Sequence, residues 1–183
     1  PIDVRATGID FLAADGHKWL LAPEGAGILY VRRECLELLR PLGLGWNSVR
    51  HAGEFTNTEL DVKPTASRYE GGSYNMAGIA ALAAAVEWLS GFGIDVIGRR
   101  ILELTDRLCE RLEKSGAEVI SVRDGERRSG IVSFAVPGRE PRQVRRECHD
   151  RGVVINCRDG LLRASPHAYV NDDDIERLVA VLS

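Results

Sequence analysis

The segment ADGHKWLLAPEGAGILYV, residues 14 to 31, sets a lysine, Lys18, directly behind Gly16-His17 and in front of the apolar Trp19-Leu20-Leu21. A lysine amine attacks a carbonyl only when unprotonated, and an apolar setting favours that form by penalising the ammonium. Gly16, Gly25 and Gly27 let the backbone come close to a ligand, and His17 can donate a hydrogen bond to a phosphate. The chemistry on offer is capture of a carbonyl by Lys18. The plain alternative is a surface lysine in a loop after a strand, and local physics leaves both open.

Such a lysine needs elements to hold it. Residues 9 to 14 (IDFLAA) and 26 to 31 (AGILYV) are short apolar runs bounded by Gly, Asp and Pro, a pattern that predicts strands buried in a mostly parallel sheet. Residues 41 to 74 are rich in Gly, Pro, Asn and Thr without periodicity, long for a structureless loop and so expected to form a functional surface or contact region. Residues 76 to 90 (MAGIAALAAAVEWLS) are helix formers, apolar on nearly every face, and such a helix is expected to be buried.

Gly91-Phe92-Gly93 breaks the pattern. Beyond it, Ile97, Ile101, Leu104, Leu108 and Leu112 recur at helical spacing within residues 94 to 115. Strand-like AEVISV (117 to 122) and GIVSFAV (130 to 136), a helix over 141 to 151, strand-like GVVINC (152 to 157) and DGLLRAS (159 to 165), and a last helix follow. Asn171 caps that helix, Asp172 to Asp174 suit its positive end, and Ile175, Leu178, Val179 and Leu182 supply its apolar face. The order α, β, β, α, β, β, α predicts a small α+β unit with helices over one sheet face.

Composition sets the bounds. The 183 residues are 44% hydrophobic and 28% charged, an ordinary globular balance with room for one domain or two smaller units. A net charge of −3 and a pI near 5.9 give no general attraction to phosphate backbones or anionic lipid, so neither nucleic acid nor membrane is an expected partner. The eight arginines from 123 to 151, against five acids, read as a solvated face. No run reaches the ~18 apolar residues of a membrane span, and no signal peptide opens the chain, so a cytoplasmic location is expected. Cys35, Cys109, Cys148 and Cys157 form no CxxC pair and no zinc spacing, and read as reduced thiols with no metal. His51, His149 and His167 have no partners at ligand or triad spacing.

Three segments carry a resemblance. DGHKWLLAPEGAGILYVRRE resembles the cofactor-lysine segment of the class V aminotransferase family, fold-type I enzymes that use pyridoxal 5'-phosphate and include cysteine desulfurases, selenocysteine lyases and isopenicillin N epimerase-like proteins. YEGGSYNMAGIAALAAAVEWL (69 to 89) is similar to its Glu-x-Gly-Thr-x-Asn stretch, and GLLRASPHAYVNDDDIERLV (160 to 179) to its Arg-x-Ser-x-x-x-Tyr-Asn segment. The resemblance implies an α/β fold: the end of a large cofactor-binding domain over 1–92, then a small C-terminal α+β domain over 93–183. It further implies that Lys18 forms the Schiff base with the cofactor and shuttles the proton at the substrate α carbon. His17 would contact the cofactor phosphate. Ser73, where the family has threonine, would reach the phosphate of a neighbouring subunit, with Gly72 allowing close approach, so a homodimer with shared active sites is expected. Arg163 would grip the α-carboxylate of a small amino-acid substrate.

The chain also departs from the family. The aspartate for the pyridinium nitrogen and the ring that stacks on the cofactor lie upstream of the lysine, and only 17 residues precede Lys18; neither Asp3 nor Asp10 matches that aspartate. The chain therefore resembles the C-terminal half of such an enzyme, and is expected to be a poor catalyst alone. Asp15 stands where desulfurases often have serine, and a carboxylate there would repel a phosphate. The desulfurase cysteine lies on a mobile loop well ahead of the carboxylate arginine, whereas Cys157 ends a strand-like run close to Arg163 and reads as structural. Amino transfer, epimerisation and carbon–sulfur lysis stay open. The competing reading is a non-catalytic fragment or relic that binds no cofactor; a nucleotide site at GAGILY lacks both the third glycine and the P-loop lysine.

Overall fold

The computed structural model describes residues 1 to 182, in two compact units, Pro1–Gly91 and Phe92–Ser183. In the first unit, strands β1 (Phe11–Asp15) and β2 (Gly27–Val31) pair antiparallel, in register from Phe11 opposite Val31 to Asp15 opposite Gly27. The expected parallel pairing does not form between them. Parallel neighbours need a long crossover, usually a helix, and residues 16 to 26 hold only turns. Nor are the strands deeply buried: Phe11, Ile28 and Leu29 remain exposed, and Val31 alone is buried, beside Cys35 and Leu36.

Residues 41 to 74 are not structureless. Two 3-10 turns, Trp46–Ser48 and Ala66–Tyr69, are joined by a bridge between Val49 and Val62. The buried guanidinium of Arg68 fastens this region, its Nε donating to the Lys63 carbonyl (2.7 Å) and its Nη2 to Glu37 Oε1 (3.1 Å). Helix α1 (Met76–Phe92) then buries only Gly78, Leu82 and Leu89. The expectation of burial on all sides fails: Met76, Ile79 and Trp88 are 68, 44 and 57% exposed. Its alanine-rich surface satisfies helix propensity without demanding contact on every face.

The second unit follows its expected element order. Helices α2 (Ile94–Lys114), α3 (Pro141–Asp150) and α4 (Asp172–Leu182) accompany strands β3 (Glu118–Val119), β4 (Val132–Ala135), β5 (Asn156–Arg158) and β6 (Leu161–Ala164). The strands form one antiparallel sheet in the order β3-β4-β6-β5. The five residues read as the apolar stripe of α2 are all buried. With Val132, Phe134, Leu162, Val144, Cys148 and the buried face of α4, those from Leu104 onward close one core.

Alternation decides which side chains join that core. Val132 and Phe134 on β4 sit opposite Ala164 and Leu162 on β6, all four buried among the helices. Ser133, opposite Arg163, and Asn156, opposite Arg163 on the other side, therefore face away from them. Asn171 caps α4 as expected: its Oδ1 accepts from Asp174 N (3.1 Å), and Asp174 Oδ2 accepts from Asn171 N (3.0 Å). Val181, absent from the expected apolar face, is buried, while Val179 is only partly so.

Candidate active site

The first unit builds the lysine segment from a tight turn. β1 ends at Asp15, and the chain then folds back on itself: Gly16 N donates to Ala26 O (2.9 Å), Ala22 N to Gly16 O (2.9 Å) and Leu21 N to Lys18 O (3.0 Å). A side chain at position 16 would place its Cβ 2.7 Å from Ala26 O, so only glycine fits. Leu21 completes the turn in the left-handed region, φ 55°. Lys18 and His17 are thereby held on a stiff, surface turn.

Asn75 joins this turn to α1. Its Nδ2 donates to the Gly25 carbonyl (3.0 Å), in the loop that follows Lys18, while its Oδ1 accepts from Gly78 N (3.0 Å) and so caps the helix. The sequence marks Asn75 only as part of a motif. Two residues earlier, Ser73 is exposed, and a Cβ at Gly72 would meet nothing within 4 Å. The close approach expected of Gly72 is not made to this chain's own atoms, and the backbone there is open to another group.

The tight contact falls elsewhere, at glycines the sequence reading passed over. A Cβ at Gly45 would lie 2.0 Å from Gly71 O, and one at Gly71 would lie 2.5 Å from Gly43 O. Buried Asn47 reinforces the crossing, its Nδ2 donating to Tyr74 Oη and to Glu70 O (3.3 Å) and its Oδ1 accepting from Lys63 Nζ (3.0 Å). The segment that carries Gly72 and Ser73 is set by these contacts. Gly-rich text at 43 to 45 was the available signal, but nothing local says which backbone it meets.

Lys18 is not the desolvated amine its apolar neighbours predict. Its side chain is 67% exposed, and Nζ pairs with Asp15 Oδ2, three residues back. The hydrogen bond and charge of Lys18, with a smaller contribution from His17, hold the Asp15 carboxyl below the usual carboxylate range. Trp19 and Leu21 of the apolar run are themselves exposed and do not shield the amine.

In the second unit, Arg163 occupies the sheet face turned away from the helices. Its Nε is buried without a hydrogen-bond partner. A buried donor left unpaired is costly, and a guanidinium suits a carboxylate that would pair it. Cys157 lies opposite Leu162 on the helix side of the same sheet, so alternation directs it away from the Arg163 face. Cys35, Cys109 and Cys148 are buried, and burial pushes the thiols of Cys109 and Cys148 up from their ordinary value. Among the described residues, no group of three or more His, Cys, Asp or Glu could hold a metal.

Residues 1–178 match the family model Aminotransferase class-V. The chain belongs to that family. Among similar proteins, a probable cysteine desulfurase of Pyrococcus abyssi is 28% identical over 99% of this class-V chain and 48% of its own length. Another from Xylella fastidiosa (strain 9a5c) is 33% identical over 99% of the chain and 45% of its own length. The apo structure of a cysteine desulfurase from Thermococcus onnurineus superposes with a TM-score of 0.87 at 27% identity, over 98% of this chain and 47% of that one. A cystine C–S lyase, solved with glycine covalently linked to its PLP cofactor, shares the fold at a TM-score of 0.90 and 21% identity, over 100% of this chain and 48% of that one. The class-V chain thus spans about half the length of the curated relatives it matches, and its α/β fold matches part of class-V structures.

The donor set of the first unit suits pyridoxal phosphate. Lys18 offers an accessible amine for an aldehyde, His17 and Ser73 offer exposed donors for a phosphate, and the open backbone at Gly72 leaves room. Asp15 is the discordant member, because it ties up the amine and would repel the phosphate.

Proposed function

We propose that this class-V chain is the C-terminal part of a pyridoxal-phosphate enzyme acting on a small amino acid, the first unit completing its large domain and the second forming its small domain. The observation that carries the reading is Lys18, an accessible amine on a turn whose backbone admits no side chain at Gly16. When bound, pyridoxal phosphate supplies an aldehyde that takes an amine covalently and a ring that draws electrons from the substrate α carbon. Lys18 would hold it through Nζ, and His17 would contact its phosphate. Asp15 must release Nζ before Nζ can take the aldehyde; once the substrate's own amine has displaced it, the Lys18 amine would be free to move the proton at the substrate α carbon. Arg163 orients the substrate by its carboxylate. In a homodimer, Ser73 would serve the neighbouring subunit's phosphate, and the exposed Met76 and Ile79 of α1 are apolar surface that association would cover.

The chemistry favoured is amino transfer, epimerisation or carbon–sulfur lysis. Desulfuration needs a mobile thiolate, and the placement of the four cysteines, three buried and Cys157 on the helix side of its sheet, weighs against it. The test is to mix the protein with pyridoxal phosphate, reduce with borohydride and map the pyridoxyl group by peptide mass spectrometry. A label on Lys18 that vanishes in Lys18→Ala, with Lys63 and Lys114 unmarked, supports the reading. No label, or an even scatter over the lysines, would instead favour a non-catalytic fragment.

A further inference from the structure

Arg163 does not stand alone on its sheet face. Asn156 lies directly across from it on β5 and Ser133 directly across on β4. Alternation along β5 puts Arg158 on the same face as Asn156, and therefore diagonal to Arg163. Diagonal positions on neighbouring antiparallel strands are about 7–8 Å apart, so two arginine side chains there can act on one small molecule. Arg158 ends β5, where Asp159 (φ 50°) and Gly160 (φ 77°) turn the chain tightly into β6 and hold the diagonal in place.

Beside the apolar Leu161, opposite Arg158, and Ala135, the face carries donors. Neither Arg158, which is exposed, nor Arg163, whose Nε is buried, makes an ion pair or hydrogen bond through its guanidinium among the described residues. Asn156 Oδ1 accepts from Cys157 N (2.8 Å), which leaves its amide nitrogen to donate. Strands β4, β5 and β6 contain no acid; Glu118 on β3 shares the face with β4 between it and Arg163, and Asp159, next to Arg158, forms no ion pair among the described residues. A carboxylate held by Arg163 leaves the Arg158 fork, one diagonal away, able to take a second.

We propose that Arg158 determines specificity: the substrate is an amino acid with a second carboxylate on a short side chain, of the aspartate or glutamate kind, which Arg158 takes while Arg163 takes the α-carboxylate. The proposal rests on the reading of Arg163 as the carboxylate clamp. It does not depend on cofactor binding at Lys18.

Glutarate and butyrate, which differ by one carboxylate, separate the two arginines when titrated calorimetrically into the full chain at low salt. Glutarate is expected to bind about tenfold more tightly, the worth of one added charged hydrogen bond. Arg158→Gln is expected to bring the ratio close to one while butyrate binding persists, and Arg158→Lys to keep part of the preference. Arg163→Gln should weaken both ligands. Equal binding of the two anions, no measurable glutarate binding, or a ratio unchanged in Arg158→Gln overturns the proposal. Pyridoxyl labelling of Lys18 in the same samples reports the cofactor reading separately, so either can fail while the other stands.

Discussion

Asn75 binds the Gly25 carbonyl at 3.0 Å with one end of its amide and caps α1 through Gly78 N with the other. One side chain thus fixes the loop behind Lys18 to the start of the helix. Asn75→Ala removes both bonds and should cost about 1 kcal/mol, the usual worth of an N-cap. Chemical denaturation measures the loss, and a fall in pyridoxyl labelling of Lys18 should accompany it. Unchanged stability would mean that the turn is held by its own backbone bonds.

Asp15→Asn frees the Lys18 amine and removes a carboxylate from beside the expected phosphate. Pyridoxal phosphate should then bind more tightly, by roughly threefold for one exposed charge, as read by the absorbance of the bound cofactor. Weaker binding would show instead that the Asp15–Lys18 pair positions the amine productively.

The same pair gives a signed pH effect. Because the Asp15 carboxyl sits below its usual range in the folded chain, its contribution is present above the unfolded carboxylate value and lost as pH falls through the folded one. Melting temperatures from neutral pH down to about pH 3 should show the native chain ahead of Asp15→Asn only at the neutral end. A constant difference across that range would rule out the linkage.

Gly45→Ala would drive a Cβ to within 2.0 Å of the Gly71 carbonyl, backbone against backbone. The segments must part, at a cost of about 2 kcal/mol or more, visible as a lower denaturation midpoint. Gly72→Ala, with nothing within 4 Å, is the matched control and should leave stability nearly unchanged.

Phe134 is fully buried at the centre of the second unit, and Phe134→Ala should cost about 3–5 kcal/mol. Loss of the far-ultraviolet helical signal at lower denaturant would report it. A smaller loss would mean that the helices close over the gap.

The sequence by itself determined the elements whose periodicity is strong and local. The stripe of α2 from Ile97 to Leu112, the Asn171 cap of α4 and the order of the second unit were all legible, because helical spacing and capping act within a few residues. The family was legible for the same reason, its three segments being contiguous text. What only the tertiary structure decided is pairing and exposure. An apolar run does not say which strand it will meet, so β1 and β2 read as parallel strands and pair antiparallel. An apolar neighbour in sequence is not a neighbour in space, so Lys18 reads as shielded and stands in solvent against Asp15. Register alone put Arg158 on the face of Arg163 and Cys157 on the other, because a strand sends successive side chains to opposite sides and only its hydrogen-bonded partner says which side is the core.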